Sequence, residues 1–555
     1  MTPPLEGMVP WPADVAQRYR ARGYWTGETI GSVFDRSVAT NGDRVAVVDG
    51  DRRLTYRQLA GLVDRLAHHL AEREIVGGAR VVFQLPNVLE FVVAYFACLK
   101  VGAIPLACLP AHRHAEIGYL ARFTEAQAWF IPSTFRGFDY VAMAAELRAD
   151  LPSLREVWVA GDRVGSGMTR FADLLAEPVA TRAMTTTRAG TTTRAYPRPQ
   201  PSDVAVFQLS GGTTGLPKVI PRTHDDYLYN SRVFAGITGV DRETVLLVTV
   251  PISHNFPLAC PGIQGTLLAG GRVVLGAAPD AETVFGLVER ERATWIPAVP
   301  ASVIGWLNDP RLERAHLGSL RTLAVGGSRL NAEPARRVLK EMGPVLMQVF
   351  GMAEGLLCST RFDDPVDVIV ETQGRPASPG DEIRVVDDDG KDVGPGQVGE
   401  LQCRGPYTIR GYYRAPEHNR AAFTDEGFYR TGDLVRVHPS GNLIVEGRKK
   451  DLINRGGEKI SAEEVENLIL SHPAVLNVAV VAVPDDVLGE RACACVMLRP
   501  GATLTLAQLN DFLLREKRIA KFKLPERLQV RDRFPTTAVG KISKKDLREE
   551  IRRFS

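Results

Sequence analysis

The sequence predicts an α/β protein: a large core built mainly on parallel sheet, followed by a small α+β domain. Three observations predict it. The chain has 555 residues, too many for a single hydrophobic core. Its middle alternates short β-branched runs with helical segments, the rhythm of an α/β architecture. After about residue 380 the texture changes to turn-punctuated alternating strands, and the last hundred residues alternate strand and helix.

The elements follow in chain order. FVVAYFACLKVGAIPLACL (91–109) reads as a buried helix followed by a strand, because a lysine, a glycine and prolines interrupt it. TTTRAGTTTRA (185–195) is a short imperfect repeat without apolar anchors, so 178–201 is expected to be an exposed, mobile connector. VLLVTVPI (245–252), RVVLGA (272–277), TWIPAVP (294–300) and LRTLAVGG (320–327) read as buried strands. AETVFGLVERER (281–292) between them has helical spacing. Past residue 380, Asp389-Gly390 and Ser440-Gly441 punctuate antiparallel strands. SAEEVENLILSH is a helix whose Ser461 and Glu464 form a capping box, and the glycine-bearing basic stretch 447–457 before it is the expected hinge.

Composition excludes several classes. The 68 basic and 65 acidic residues leave a net charge of +3, which gives no argument for nucleic acid or membrane binding. No apolar run approaches the ~20 residues needed to span a bilayer. The N-terminal stretch MTPPLEGMVPWPADVAQRYR lacks the basic start and apolar centre of a signal peptide. The seven cysteines have no paired zinc spacing, and Cys493 and Cys495 share one strand face as small core residues. A reducing cytoplasmic location is expected.

Several short segments carry chemistry. SGGTTGLPK (210–218) lacks the Gly-Lys-Ser/Thr ending of the common phosphate loop, since Pro217 precedes Lys218 and a valine follows. It reads either as an ordinary glycine-rich turn or as a phosphate cradle, with Ser210, Thr213 and Thr214 adding hydroxyls and Lys218 a charge. In QVFGMAEG (348–355), Glu354 is either a helix-start acid or a ligand holding Mg²⁺ against nucleotide phosphates. Asp433 in YRTGDL sits at an expected tight turn, either as a turn former or as a bidentate partner for a ribose diol. Arg448 in EGRKKD and Lys541 in TTAVGKISKKD are isolated charges beside glycines. No Ser–His–Asp arrangement is evident.

Together and in this order, SGGTTGLPK, QVFGMAEG, YRTGDL, EGRKKDLINRGGEKI and PTTAVGKISKKDL closely resemble the core motifs of the adenylate-forming superfamily, which includes acyl-CoA synthetases, luciferases and nonribosomal adenylation domains. The resemblance covers essentially the whole chain. It implies an N-terminal core over 1–449, made of two layered α/β subdomains and a β-barrel-like subdomain, and a small mobile α+β domain over 450–555. It also implies that a carboxylate attacks the α-phosphate of Mg·ATP, that pyrophosphate leaves and that an acyl-adenylate stays bound. Such chemistry rests on positioning and charge stabilisation rather than on a protein nucleophile. By the family pattern Lys541 contacts the carboxylate and α-phosphate, and Asp433 and Arg448 hold the ribose. Gly327 and Val349 flank the adenine and acyl groups, and Glu354 binds Mg²⁺. Lys544 and Lys545 are rivals for the Lys541 role, but only Lys541 follows the motif's glycine. Lys450 matches the hinge, and Gly457 and Lys459 turn toward the site in the thioester-forming state.

SHNFPLACPG (253–262) bears on the acid. No match is evident for the aspartate by which amino-acid-activating relatives hold an α-ammonium. His254-Asn255-Phe256 is instead similar to the His-Asn-aromatic signature of stand-alone aryl-acid AMP ligases from siderophore pathways. That likeness implies that Asn255 bonds the ring's 2-hydroxyl or the carboxylate and that Phe256 packs on the ring. Without it, Asn255 reads as a helix cap and Phe256 as core. Cys260 stands where relatives preferring 2,3-dihydroxybenzoate tend to have serine; a thiol is a poor donor, which points to salicylate. HNFPLACPG and PRTHDDY (221–227) are also similar to the salicyl-AMP ligases of mycobactin biosynthesis. The expected acceptor is the phosphopantetheine of a separate aryl carrier protein. Coenzyme A is the rival acceptor, and a catalytically silent aryl-adenylate sensor is the rival class.

Overall fold

The computed structural model describes residues 5–176, 185–186, 192–193, 196, 198–210, 217–455, 458–485, 487–517, 519–537 and 541–553. Two large sheets form the core of the N-terminal part. A nine-stranded sheet runs in the order Arg52–Thr55, Val45–Asp49, Arg272–Leu275, Val245–Val248, Trp295–Ala298, Thr322–Val325, Leu346–Met352, Gly355–Ser359 and Arg375–Pro376. Its six strands from Val45–Asp49 to Leu346–Met352 are mutually parallel. A seven-stranded sheet centres on Arg80–Phe83, Ile104–Ala107 and Ala128–Pro132, again parallel, with Val219–Thr223 closing one edge antiparallel to Val204–Leu209.

The apolar runs dictate this arrangement. Trp295–Ala298 and Thr322–Val325 are buried along their whole length, as strands covered by helices on both faces must be. The helix Leu89–Val101 is buried at every turn and ends at Gly102, followed by the strand Ile104–Ala107. Its one cation, Lys100, is buried and ion-paired with Asp35 at 2.7 Å and with Asp64. The helix Ala281–Glu291 follows the expected spacing, and Asp280 caps it by accepting from the Thr283 N–H at 2.9 Å.

A four-stranded antiparallel sheet, Glu382–Val386, Gly399–Arg404, Tyr429–Val437 and Leu443–Arg448, forms a third unit. Leu401, Cys403, Val435 and Leu443 from it share a core with Leu356 and Cys358 of the preceding hairpin; the expected barrel-like subdomain is here an open four-stranded sheet packed on that hairpin. The small C-terminal part begins after the short 3-10 turn Lys449–Asp451 and is built on a five-stranded sheet with its own core. Cys493 and Cys495 are buried on one face of its strand Gly489–Leu498, as expected.

Ser461 caps the helix Ala462–Leu470 by accepting from the Glu464 N–H at 3.2 Å. The expected box is only half present, because the Glu464 carboxylate pairs with Lys523 at 2.7 Å instead. The connector 178–201 lies largely outside the described residues; within it, Thr185–Thr186 pairs antiparallel with Thr192–Thr193.

Candidate functional site

Ligands of open α/β sheets sit beyond the carboxyl ends of the parallel strands. Here those ends deliver several of the expected residues. Strand Val245–Val248 leads to His254, Asn255 and Phe256, and strand Thr322–Val325 runs into Gly326 and Gly327. Val349 lies in strand Leu346–Met352. Lys541 arrives from the C-terminal part. Gly327 has φ +88°, and a Cβ there would stand 2.9 Å from Lys541 Cε. The left-handed backbone favours glycine here, and the short distance places the Lys541 side chain against it. Lys544 is drawn away into a 2.7 Å ion pair with Glu466, and Lys545 is exposed. Of the three lysines, only Lys541 stands at the site.

Burial, with the Arg448 guanidinium nearby, pushes the Lys541 ammonium down to about 8; the Asp433 carboxylate opposes that shift. Arg448 Nε donates to Asp433 Oδ1 at 2.8 Å, and this pairing raises the Arg448 pKa. The two residues are register partners across neighbouring strands. Asp433 does not occupy the expected tight turn. It lies inside strand Tyr429–Val437, where the pairing with Gly399–Arg404 is interrupted between Gln402–Arg430 and Glu400–Leu434. Gly432, at φ +70°, provides that bulge, and a bulge re-aims the side chain beside it.

Glu354 is not a helix-start acid either. It sits in the tight connection of the hairpin Leu346–Met352/Gly355–Ser359 and is buried. Two strands that pair directly leave no room for a helical turn there. The Tyr412 hydroxyl donates to Glu354 Oε1 at 2.8 Å. Lys218 Nζ lies 5.8 Å from the centre of the Tyr412 ring, so the glycine-rich loop and the hairpin meet at this tyrosine. Ser210 and Lys218 close the base of that loop: the Ser210 N–H donates to Lys218 O, and the Lys218 N–H to Ser210 Oγ, both at 3.0 Å. Thr213 and Thr214 lie outside the described residues.

The helix Asn255–Ala259 is capped by His254, whose Nδ1 accepts from the Phe256 N–H at 3.3 Å. Asn255 is therefore not the cap. Burial and the neighbouring Lys541 charge push His254 down to about 3, so it stays neutral. Asn255 is buried and faces a polar group of its own: Tyr227 donates to its Oδ1 at 2.8 Å, and its Nδ2 points at Cys260 Sγ, 3.3 Å away. Gln208 Nε2 donates to the Tyr227 hydroxyl at 3.1 Å. Asn230 donates to Ala259 O at 2.7 Å and lies 3.6 Å from the same sulfur. Burial pushes the Cys260 thiol up to about 12, so it stays protonated. Phe256 is half-buried beside Gly326, where a Cβ would come within 3.5 Å of Phe256 Cε1 and 3.0 Å of Val349 O. These contacts set the Asn255 amide and the Cys260 thiol side by side in the interior, close to Phe256 and Gly326.

Sequence reasoning missed Tyr227, Gln208, Asn230 and Tyr412. A signal existed for two of them: Tyr227 and Asn230 share one face of a helix, His224–Ile237, that is buried along most of its length. Tyr412, in RGYYRAP, carries no spacing or charge signal. Lys450 lies in the 3-10 turn between the two parts and Lys459 in strand Glu458–Ser461, while Gly457 lies outside the described residues.

Fold and site together define a two-domain α/β protein whose small domain places a lysine at the carboxyl ends of the large domain's parallel strands. Residues 34–413 match the AMP-binding enzyme family and residues 464–541 its C-terminal domain, and the chain belongs to this family. A salicylyl-CoA synthase/salicylate adenylyltransferase of a Streptomyces species is 51% identical over 99% of this chain and 98% of its own. The 2,3-dihydroxybenzoate-AMP ligase of Bacillus subtilis is 48% identical over 99% and 98%. The salicyl-AMP ligase/salicyl-S-ArCP synthetase of Mycobacterium tuberculosis is 45% identical over 99% and 95%.

Proposed function

We propose that the protein activates salicylate with Mg·ATP to salicyl-AMP and pyrophosphate, and then loads the salicyl group onto the phosphopantetheine thiol of a separate aryl carrier protein. The observation that carries the reading is the buried Asn255 amide beside the Cys260 thiol, 3.3 Å apart. Tyr227 donates to Asn255 Oδ1, and one of the two Nδ2 N–H groups is directed at Cys260 Sγ, so the second N–H is the donor the amide offers. Salicylate suits it, since its 2-hydroxyl bonds its own carboxylate and leaves an oxygen to accept. Beside it, the Cys260 thiol is too weak a donor to favour a second phenol.

In the first half-reaction a carboxylate oxygen bonds to the α-phosphorus, and the bond from that phosphorus to the pyrophosphate oxygen breaks. Lys541 neutralises the charge that develops there, a contribution that preorganised charge makes without reorganisation. Asp433 and Arg448 hold the ribose, Gly327 and Val349 flank the adenine and acyl groups, and Ser210, Thr213, Thr214 and Lys218 take the pyrophosphate end. Glu354 suits Mg²⁺. Among the described residues no three His, Cys, Asp or Glu side chains cluster to hold a metal, and Mg²⁺ is commonly held by one or two carboxylates plus substrate phosphates. When bound, the cation offsets phosphate charge. In the second half-reaction the small domain, 450–555, turns about Lys450 relative to 1–449 and brings Gly457 and Lys459 inward. The thiol sulfur then attacks the acyl carbon, AMP leaves with the bonding pair, and the thiol proton passes to solvent.

Two other readings have specific support. The 48% relative is named for 2,3-dihydroxybenzoate, and the 51% relative for coenzyme A as acceptor. Cys260→Ser tests the first: it is expected to raise kcat/KM for dihydroxybenzoate relative to salicylate by about tenfold or more, as one added pocket contact does. An unchanged ratio sinks the cysteine argument. Turnover of preformed salicyl-AMP with a phosphopantetheinylated aryl carrier protein, against coenzyme A, tests the second. All seven cysteines are buried and unpaired, which supports a reducing, cytoplasmic setting.

A further inference from the structure

We infer that Tyr412 is a positioning residue that fixes the rotation of the Glu354 carboxylate, so that one oxygen is spoken for by the tyrosine and the other is the one offered to a divalent cation. The inference rests on the reading of Glu354 as the metal residue and goes beyond it, to how that carboxylate is held.

The geometry fixes both ends of the contact. Tyr412 donates to Glu354 Oε1 at 2.8 Å, and its hydroxyl lies 2.9 Å from that of Tyr429. A carboxylate only accepts, so the chain runs in one direction: Tyr429 donates to Tyr412, and Tyr412 donates to Glu354. The tyrosine backbone is clamped by a single side chain. Asn419 Oδ1 accepts from the Tyr412 N–H at 2.8 Å, and Asn419 Nδ2 donates to Tyr412 O at 3.0 Å. The Ile409 N–H also donates to Glu354 O at 2.8 Å, tying the hairpin to the same segment.

This arrangement links three parts of the site. Lys218 of the glycine-rich loop lies over the Tyr412 ring, Glu354 receives its hydroxyl, and Tyr429 begins the strand that carries Asp433. A hydrogen-bonded partner that orients a ligating group typically carries a 10–100-fold share of metal affinity.

The test is equilibrium binding of α,β-methylene-ATP by calorimetry, with saturating Mg²⁺ and with chelator; the ratio of the two dissociation constants is the metal enhancement. Tyr412→Phe keeps the ring under Lys218 and removes only the hydroxyl. It is expected to cut the enhancement by about tenfold or more and to leave the metal-free constant unchanged. Tyr412→Leu should lose the same enhancement and also weaken metal-free binding. Tyr429→Phe, which keeps every contact between Tyr412 and Glu354, should lower the enhancement less, and it probes the same chain if Tyr412→Phe does not fold. A parental enhancement in folded Tyr412→Phe overturns the inference, and a parental value in Tyr429→Phe removes the outer donor from it. Glu354→Gln separates the layers. If that variant keeps the enhancement, the metal role of Glu354 falls; if it loses it while Tyr412→Phe does not, only the role of Tyr412 falls.

Discussion

Lys541→Ala is expected to lower adenylate formation by about 10²–10³-fold, the usual cost of removing one preorganised charge-stabilising donor. ATP affinity should change little, because Asp433, Arg448 and the glycine-rich loop are untouched. Transfer from preformed salicyl-AMP to the carrier thiol should proceed at the parental rate, since the role proposed for Lys541 is confined to the first half-reaction. Single-turnover adenylation and thioester formation, measured separately, check the split; equal loss in both steps would contradict it. The pH dependence has a definite sign. In the role proposed for Lys541 it is the ammonium form that neutralises the developing charge, and burial with Arg448 places its pKa at about 8. The kcat/KM for adenylation should therefore be full below that value and fall as pH rises through it. The residual activity of Lys541→Ala should lack this limb.

Arg222→Met is expected to destabilise the N-terminal domain by about 3–5 kcal/mol, the cost of stranding a buried charge. Arg222 is fully buried, and its Nε donates to the equally buried Asp226 at 2.8 Å. The same guanidinium donates to Ala353 O at 2.8 Å beside Glu354, to Tyr407 O at 3.1 Å and to Asn230 Oδ1 at 3.4 Å. One buried cation thus braces both the hairpin that carries Glu354 and the asparagine beside Cys260. Burial already raises the Asp226 pKa, so the carboxylate left behind meets the solvation penalty unaided. Denaturant unfolding should show the loss, and the double variant Arg222→Met/Asp226→Leu should recover much of it. A single variant that unfolds at the parental midpoint would mean the pair contributes nothing net.

What could be read from the sequence divides along physical lines. The parallel strands were legible because burial on both faces demands continuous apolar runs, as in Thr322–Val325. The helix over 281–292 was legible from its period. Glu354, Asp433, Arg448 and Lys541 were visible only as an ordered set, since each alone reads as an ordinary surface or turn charge. Their local settings were not legible. A Gly-Asp pair marks a turn as readily as the bulge at Gly432, and the choice was made by pairing with strand Gly399–Arg404. Glu464 obeys the capping-box spacing, yet a tertiary partner, Lys523, takes its carboxylate. The three lysines 541, 544 and 545 differ in sequence only by the preceding glycine, and Glu466 separates them in space. Tyr412 and Tyr227 act through hydroxyls aimed across the fold, and no local pattern records where a side chain far along the chain will stand.

Aryl-acid-dependent ATP–pyrophosphate exchange, measured with salicylate, 2,3-dihydroxybenzoate, benzoate and several amino acids, tests the central claim most directly. Exchange strongest with salicylate, weaker with dihydroxybenzoate and absent with the amino acids is the predicted result. Exchange with none of the aryl acids would contradict the account, because the proposed roles of Asn255, Phe256 and Cys260 in holding an aryl acid would then fall.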